Sequence, residues 1–264
     1  MNRSRRSGEP PDPVAGGTEA TVPGPGSPPG GGAGGSRDGR EDGTGDGRIR
    51  PADPVEVRPA DRRHLSGIVR CHQAAFPGQF LTRLGPGFLA AYYRYYLDSP
   101  RGINLVATGP GDRVVGFVSG GDPVLRGRFI RSQVPRYAGL LLFRGLLDPF
   151  VRRRLRVHLG NLARIAARRL GRAGGIPAGG GRDPDPEGAS VLLSIAVDPS
   201  ATGRGIGRML MEAFRRESRR LGYPAMVLSA HADNDPAIRL YLACGWEVVR
   251  RDADGVYFRR STDP

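Results

Sequence analysis

The residues best suited to chemistry stand in one window, Val191–Trp246. An apolar run, Val191–Val197, predicts a strand and leads into Gly203-Arg204-Gly205-Ile206-Gly207, after which a basic helical stretch begins. A glycine-rich turn at a helix start leaves several backbone N–H groups unpaired and pointing outward, an arrangement that suits a phosphate. Glycines at 203, 205 and 207 also keep side chains out of the path of a close anion. Downstream, Asn234 and Tyr241 fall on a short helix, Ser194 lies on the strand before the turn, and His231 stands just past the next strand. A histidine has an ordinary pKa near about 6.5, suitable for a base. Serine can relay a proton but is a poor base alone. The glycine turn points to a phosphorylated ligand.

Spacing rules out two phosphate-binding patterns. The dinucleotide fingerprint G-x-G-x-x-G fails because Gly203 and Gly205 lead to Arg208, and Gly205 and Gly207 lead to Leu210. The Walker pattern fails because no Lys-Ser/Thr follows the glycines. The window instead resembles the GCN5-related N-acetyltransferase (GNAT) superfamily. The pyrophosphate loop of that superfamily, Gln/Arg-x-x-Gly-x-Gly/Ala, aligns with Thr202–Gly207 after Ala196-Val197-Asp198-Pro199. Thr202 stands where Gln or Arg is usual, with Arg204 or Arg208 as the replacement contact. A later signature, Asn-x-x-Ala-x-x-Leu-Tyr-x-x-x-Gly-Phe, matches Asn234 through Trp246 and differs only in the last aromatic.

The resemblance implies acetyl-CoA as co-substrate and no metal. It assigns the pyrophosphate to the amides of Arg204, Gly205, Ile206, Gly207 and Arg208. The main chain of Ile195, Ala196 and Val197 falls beside pantetheine and thioester, where the fourth and fifth strands splay. Tyr241 becomes the general acid, with a merely packed aromatic as the alternative. Asn234 becomes a coenzyme contact, with a simple helix-start residue as the alternative. The base stays open among His231, His72, Ser194 as a relay, and a water chain. His72, Phe76 and Gln79 are the expected acceptor contacts. Their segment is similar to acetyltransferases encoded among polysaccharide and glycoconjugate genes, which points to a small-molecule amine such as an amino sugar; a peptide or protein amine is the rival. Cys71 and Cys244 have no activating neighbour in sequence, so direct transfer is expected. A non-catalytic acyl-CoA-binding or membrane-associated adaptor is the alternative from another class.

The elements that must position these groups are legible from Pro54 onward. Val55–Arg58, Ile103–Thr108, Val114–Ser119, Ser190–Val197, Ala225–Ala230, Trp246–Arg251 and Val256–Arg259 predict strands. Helices are expected from the N-cap Asp61 to about Ala75 and over Pro86–Leu97, Gly205–Leu221 and Pro236–Cys244. This order implies an α/β fold of GNAT type, a mixed and strongly twisted sheet flanked by helices. One acetyltransferase domain is expected over 54–264, with a helical insertion at about 122–188 between the third and fourth strands. Residues 1–53 are nearly all Gly, Pro, Ser, Asp, Glu and Arg, a composition that predicts a disordered tail without a signal peptide. No apolar run reaches the roughly 18 residues of a spanning helix, so a cytoplasmic protein is expected, with peripheral placement at the inner face of the membrane as a variant.

Charge singles out the insertion. Every basic residue is Arg, and the net charge is +14. Val124–Arg172 holds 13 Arg against Asp148 alone. Within it Tyr137–Phe150 is very apolar, and Val151–Leu170 has the pattern of a basic amphipathic helix. Four readings stand: packing on the domain with arginines in water, docking on an anionic membrane, a homodimer contact, or a lid over an anionic acceptor. Aromatic residues are not interleaved with the arginines, which argues against nucleic acid.

Overall fold

A computed structural model describes residues 53–153, 155–156, 188–252 and 255–263. The expected tail up to residue 52, most of the expected helix 151–170 and nearly all of the remaining insertion, residues 171–188, lie outside the described residues. The chain runs β1 (Glu56–Pro59), α1 (Leu65–Ala75), α2 (Phe80–Leu84), α3 (Pro86–Leu97), β2 (Gly102–Thr108), β3 (Val114–Gly121), α4 (Val124–Ser132) and α5 (Ala138–Leu147). It continues with β4 (Ala189–Val197), α6 (Ile206–Arg220), β5 (Ala225–Ala230), α7 (Asp235–Ala243), β6 (Glu247–Asp252) and β7 (Gly255–Ser261). The seven strands form one sheet in the order β1-β2-β3-β4-β5-β7-β6. Every neighbouring pair is antiparallel except β4 and β5, which are parallel.

Local chemistry sets the boundaries. Asp61 is an N-cap as expected: its carboxylate accepts the Arg63 amide at 2.9 Å and opens a 3-10 turn that runs into α1 at Leu65. Pro86 begins α3 behind Gly85, whose φ of 97° suits only glycine. The short α2 has too few turns to carry a periodic signal, and it lies between the two helices expected from sequence.

Alternation along the strands sends side chains to two cores. Leu105, Ala107, Val118 and Ile195 meet Leu210 and Phe214 of α6 on one face. Val106, Phe117 and Ala196 meet Ile68, Leu89 and Tyr93 of α1 and α3 on the other. The register shifts at three places, and the one beside the seam involves β4: Ser119 pairs with Ser194 but Gly120 pairs with Leu192, which leaves Leu193 as an extra residue. A Cβ at Gly120 would sit 2.1 Å from the Val191 carbonyl oxygen and 3.0 Å from the Phe214 ring, so only glycine fits there.

The insertion between β3 and β4 is helical where it is described. Phe129 and Val151 pack with Leu84 and Phe88. Asp148 ends α5, and its carboxylate accepts the amide of Phe150 at 2.9 Å, restarting a helix over residues 149–153. Arg83 of α2 clasps this corner, 2.8 Å from the Asp148 carboxylate and stacked over the Phe150 ring at 4.8 Å.

Candidate active site

The parallel pair is where the sheet comes apart. β4 and β5 pair only at Ala189–Val191 against Ala225–Val227. Beyond that point β4 continues to Val197 with β3 on its other side, and β5 continues to Ala230 with β7 on its other side. Among the described residues no ladder joins Leu192–Val197 to β5 beyond Val227, so the two strands part there. A buried strand edge with free N–H and C=O groups calls for an extended, amide-bearing partner. Ile195, Ala196 and Val197 lie on this edge.

The glycine turn follows β4. The Asp198 amide donates to the Val115 carbonyl at 2.8 Å, and its carboxylate accepts the Ser200 amide at 2.9 Å, fixing the exit from the strand. Gly203 and Gly205 hold φ of 79° and 72°, and a Cβ on either would meet no atom within 4 Å. Both face open space. The first helical bond of α6 runs from the Met209 amide to the Gly205 carbonyl at 3.0 Å, so the amides of Ile206, Gly207 and Arg208 emerge at the helix start. Gly207 has a different duty: a Cβ there would lie 3.2 Å from Leu240, so this glycine lets α6 and α7 pack closely. The Thr202 hydroxyl donates to the Pro199 carbonyl at 3.0 Å and is spent on the turn itself. Arg204 donates through Nη2 to the Asp53 carbonyl, while its buried Nη1 has no partner among the described residues. Arg208 is exposed.

Tyr241 is wholly buried in the same core as Ile195, Val197 and Leu228, with Phe258 at 5.3 Å and Trp246 at 6.3 Å between ring centroids. Its hydroxyl has no hydrogen-bond partner among the described residues. Leaving such a group unpaired costs about 1–3 kcal/mol. Burial pushes its pKa far above the ordinary tyrosine range, which keeps the proton in place for donation. The Trp246 Nε1 is likewise buried without a partner among the described residues. Asn234 caps α7, its side-chain oxygen accepting the Ala237 amide at 3.3 Å. Asn234→Ala should therefore lower stability by about 1 kcal/mol in denaturant unfolding through the lost cap alone.

Ser194 is buried in β4 directly opposite Ser119, which in turn is opposite Asn104. Cross-strand partners share a face, so these three form a polar row through an apolar sheet. The Ser119 hydroxyl donates to the Asn104 side-chain oxygen at 2.7 Å, and the Asn104 amide donates to the Tyr96 carbonyl at 2.9 Å. The row lies on the α1/α3 side. Sequence reasoning picked out Ser194 alone; polar residues recurring in three apolar strands were the available signal for the rest. The extra residue Leu193, the Trp246 donor and the Arg204–Asp53 contact had no such signal.

His231 is half-buried just beyond β5, and its carbonyl accepts the Asn234 amide at 3.1 Å. His72 and Phe76, expected as acceptor contacts, lie away from the surface. Both are buried on the α1/α3 face, with the His72 Nδ1 2.7 Å from the Tyr93 hydroxyl and its ring against Phe76 and Phe117. Gln79, beyond them, is partly exposed at the start of α2. Burial pushes the pKa of His72 down to about 3, so the ring is neutral near pH 7. A histidine with a depressed native pKa contributes stability that is full above its unfolded value and lost as pH falls toward the folded one. Between pH ~6.5 and ~4 this loss should reach roughly 2–3 kcal/mol. Unfolding free energies measured across that range should show the slope in wild type and lose it in His72→Gln.

A separate cavity of about 460 Å³ lies between α3 and the insertion, where Arg94, Tyr95, Arg136 and Tyr137 line it. Its lining includes no residue of the glycine turn or of the β4 and β5 edges. Among the described residues no cluster of His, Cys, Asp or Glu could hold a metal ion, and no helix is long and apolar enough to cross a membrane. Cys71 and Cys244 are buried, and burial raises the pKa of both thiols.

Comparison with known proteins agrees with this geometry. Residues 151–246 match the Acetyltransferase (GNAT) family model. The mycothiol acetyltransferase of Saccharomonospora viridis is 40% identical over 58 residues, 22% of this chain and 19% of that protein. The [ribosomal protein bS18]-alanine N-acetyltransferase of Salmonella typhimurium is 38% identical over 65 residues, 24% of this chain and 44% of that protein. The chain thus spans about a fifth of the first relative's length and under half of the second's. The crystal structure of SsHAT superposes with a TM-score of 0.56 at 23% identity, covering 80% of this chain and 99% of the other. That likeness extends the shared fold well beyond the matched segment.

Proposed function

We propose, from the premise that this chain carries a GNAT-family domain, that it transfers an acetyl group from acetyl-CoA to a primary amine. The observation that carries this reading is the parting of β4 from β5 after Val191 and Val227, with the Tyr241 hydroxyl, which has no partner among the described residues, in the core beside it. When bound, acetyl-CoA supplies a thioester reactive toward amines. The amides of Ile206, Gly207 and Arg208, beside the open faces of Gly203 and Gly205, would hold its pyrophosphate, aided by the positive end of α6. The free edge at Ile195–Val197 would bond its pantetheine amides. Tyr241 gives its proton to the departing sulfur as the amine nitrogen bonds to the carbonyl carbon. The amine loses its own proton by way of Ser194 and solvent, or to His231.

For the acceptor we propose a small amine, an amino sugar first, in the cytoplasm. The resemblance of residues 72–85 to glycoconjugate-associated enzymes and the arginine-rich insertion support it. The relatives named for mycothiol and for a ribosomal-protein alanine bracket the small-molecule and protein alternatives. The test is thiol release from acetyl-CoA with a panel of amino sugars, nucleotide amino sugars, polyamines and peptides. Turnover on sugars supports the proposal, and turnover on peptides alone replaces the acceptor. Coenzyme binding without turnover on any class returns the reading to a non-catalytic adaptor. The glycine turn has its own check. In Gly205→Val the residue must hold a left-handed backbone and projects a branched side chain into the open face, so coenzyme affinity by calorimetry should fall about tenfold or more.

A further inference from the structure

The inner side of the insertion is satisfied by the domain, but α5 is apolar on its outer side as well. Leu140 and Leu141 turn toward Leu84 and Phe88. Leu142, Phe143, Leu146 and Leu147 point outward, exposed by 74, 58, 74 and 64%. Most of the exposed large apolar side chains among the described residues fall between Val124 and Phe150. A helix apolar all round belongs inside a core or a membrane, not in water.

The surroundings say what should cover it. Arg136, Arg144, Arg152 and Arg156, all exposed, lie within α5 or close to it in the chain. Asp148, the lone acid between residues 124 and 172, is consumed by Arg83 at 2.8 Å, which holds its carboxyl below the ordinary range. The same Arg83 clasp fixes the corner at which α5 ends, so the outer face is presented by an anchored element. Face-to-face pairing of two copies would set arginine against arginine, whereas an anionic surface satisfies arginines and patch together. A bilayer accepts protruding leucines and a phenylalanine without a complementary pocket, and each arginine near its surface adds attraction.

We propose that the outer face of α5 docks the protein on an anionic lipid bilayer, with Leu142, Phe143, Leu146 and Leu147 entering the headgroup–acyl boundary and these arginines engaging lipid phosphates. This docking is independent of the transfer chemistry and is read without it.

The test is co-sedimentation of the full chain with phosphatidylglycerol-containing vesicles and with phosphatidylcholine vesicles, at low and high salt. Wild type should bind the anionic vesicles, less so at high salt. Replacing all four outward residues by serine should weaken binding about tenfold or more. Their exposure makes these changes tolerable to the fold, and circular dichroism of the variant checks it. Insertion is read separately with Phe143→Trp. The only native tryptophan, Trp246, is buried, so emission that shifts blue on anionic vesicles and is quenched by brominated acyl chains reports the new indole. Absence of binding to anionic vesicles at low salt overturns the proposal. So does binding that survives the four serine changes, or emission from the Phe143→Trp variant that the vesicles leave unmoved. A wild-type dimer that the serine variant dissolves, with neither form binding vesicles, would assign the face to a second copy instead.

Discussion

Tyr241→Phe should lower turnover by about 10²–10⁴-fold, the range of a lost general acid, while coenzyme affinity stays nearly unchanged. The same variant should be no less stable than wild type. The deleted hydroxyl has no partner among the described residues, and relieving an unsatisfied buried group returns up to about 1–3 kcal/mol. Activity and stability therefore move in opposite directions, which separates this loss from damage to the fold. Steady-state thiol release, coenzyme calorimetry and thermal unfolding on one preparation check all three. Unchanged turnover would remove Tyr241 from the chemistry and leave it a packed aromatic against Phe258 and Trp246. A fall in turnover matched by a fall in stability would make its role structural.

The largest expected loss of stability comes from Phe214→Ala, about 3–5 kcal/mol in denaturant unfolding. Phe214 is wholly buried on α6, and its ring fills the space left by Gly120 at the point where β4 carries its extra residue. The core it belongs to contains side chains from β2, β3, β4, β5 and β7, so one cavity weakens both sides of the seam. Domain stabilities are about 5–15 kcal/mol, so the variant should unfold well before wild type. A loss below about 1 kcal/mol would mean that α6 collapses onto the sheet and that the Gly120 contact does not hold it in place.

Strong periodic or punctuated signals made most of the fold legible. Val191–Val197, Ala225–Ala230 and the basic stretch after Gly205 read correctly because apolar runs and glycines mark strand, turn and helix. The parallel seam itself has no signature in residue types: pairing stops at Val191 and Val227, yet both strands remain apolar past that point. Only the resemblance supplied the splay. The glycine turn was read as uniform, whereas Gly203 and Gly205 face open space and Gly207 serves the packing of α6 on Leu240. That distinction depends on α7, which arrives only after β5 in the chain. The burial of His72 and Phe76 has no signal in sequence for a similar reason. A histidine among aromatics suits a binding loop and a core equally well, and the Tyr93 hydroxyl beside its Nδ1 is contributed by another helix.

The parallel junction also divides the chain into two antiparallel blocks, β1 to β4 and β5 to β7, tied through the sheet by three residue pairs. Such a seam marks the boundary between units of different local stability. Amide protons of Leu192–Val197 that face the gap have no ladder to β5 among the described residues and should exchange faster than those facing β3. A pantetheine chain lying there would supply the missing ladder and protect that edge. Under the proposed reading the protein borrows part of its own sheet from its substrate and gives it back at every product release. Its rigidity would then rise and fall with the supply of acetyl-CoA.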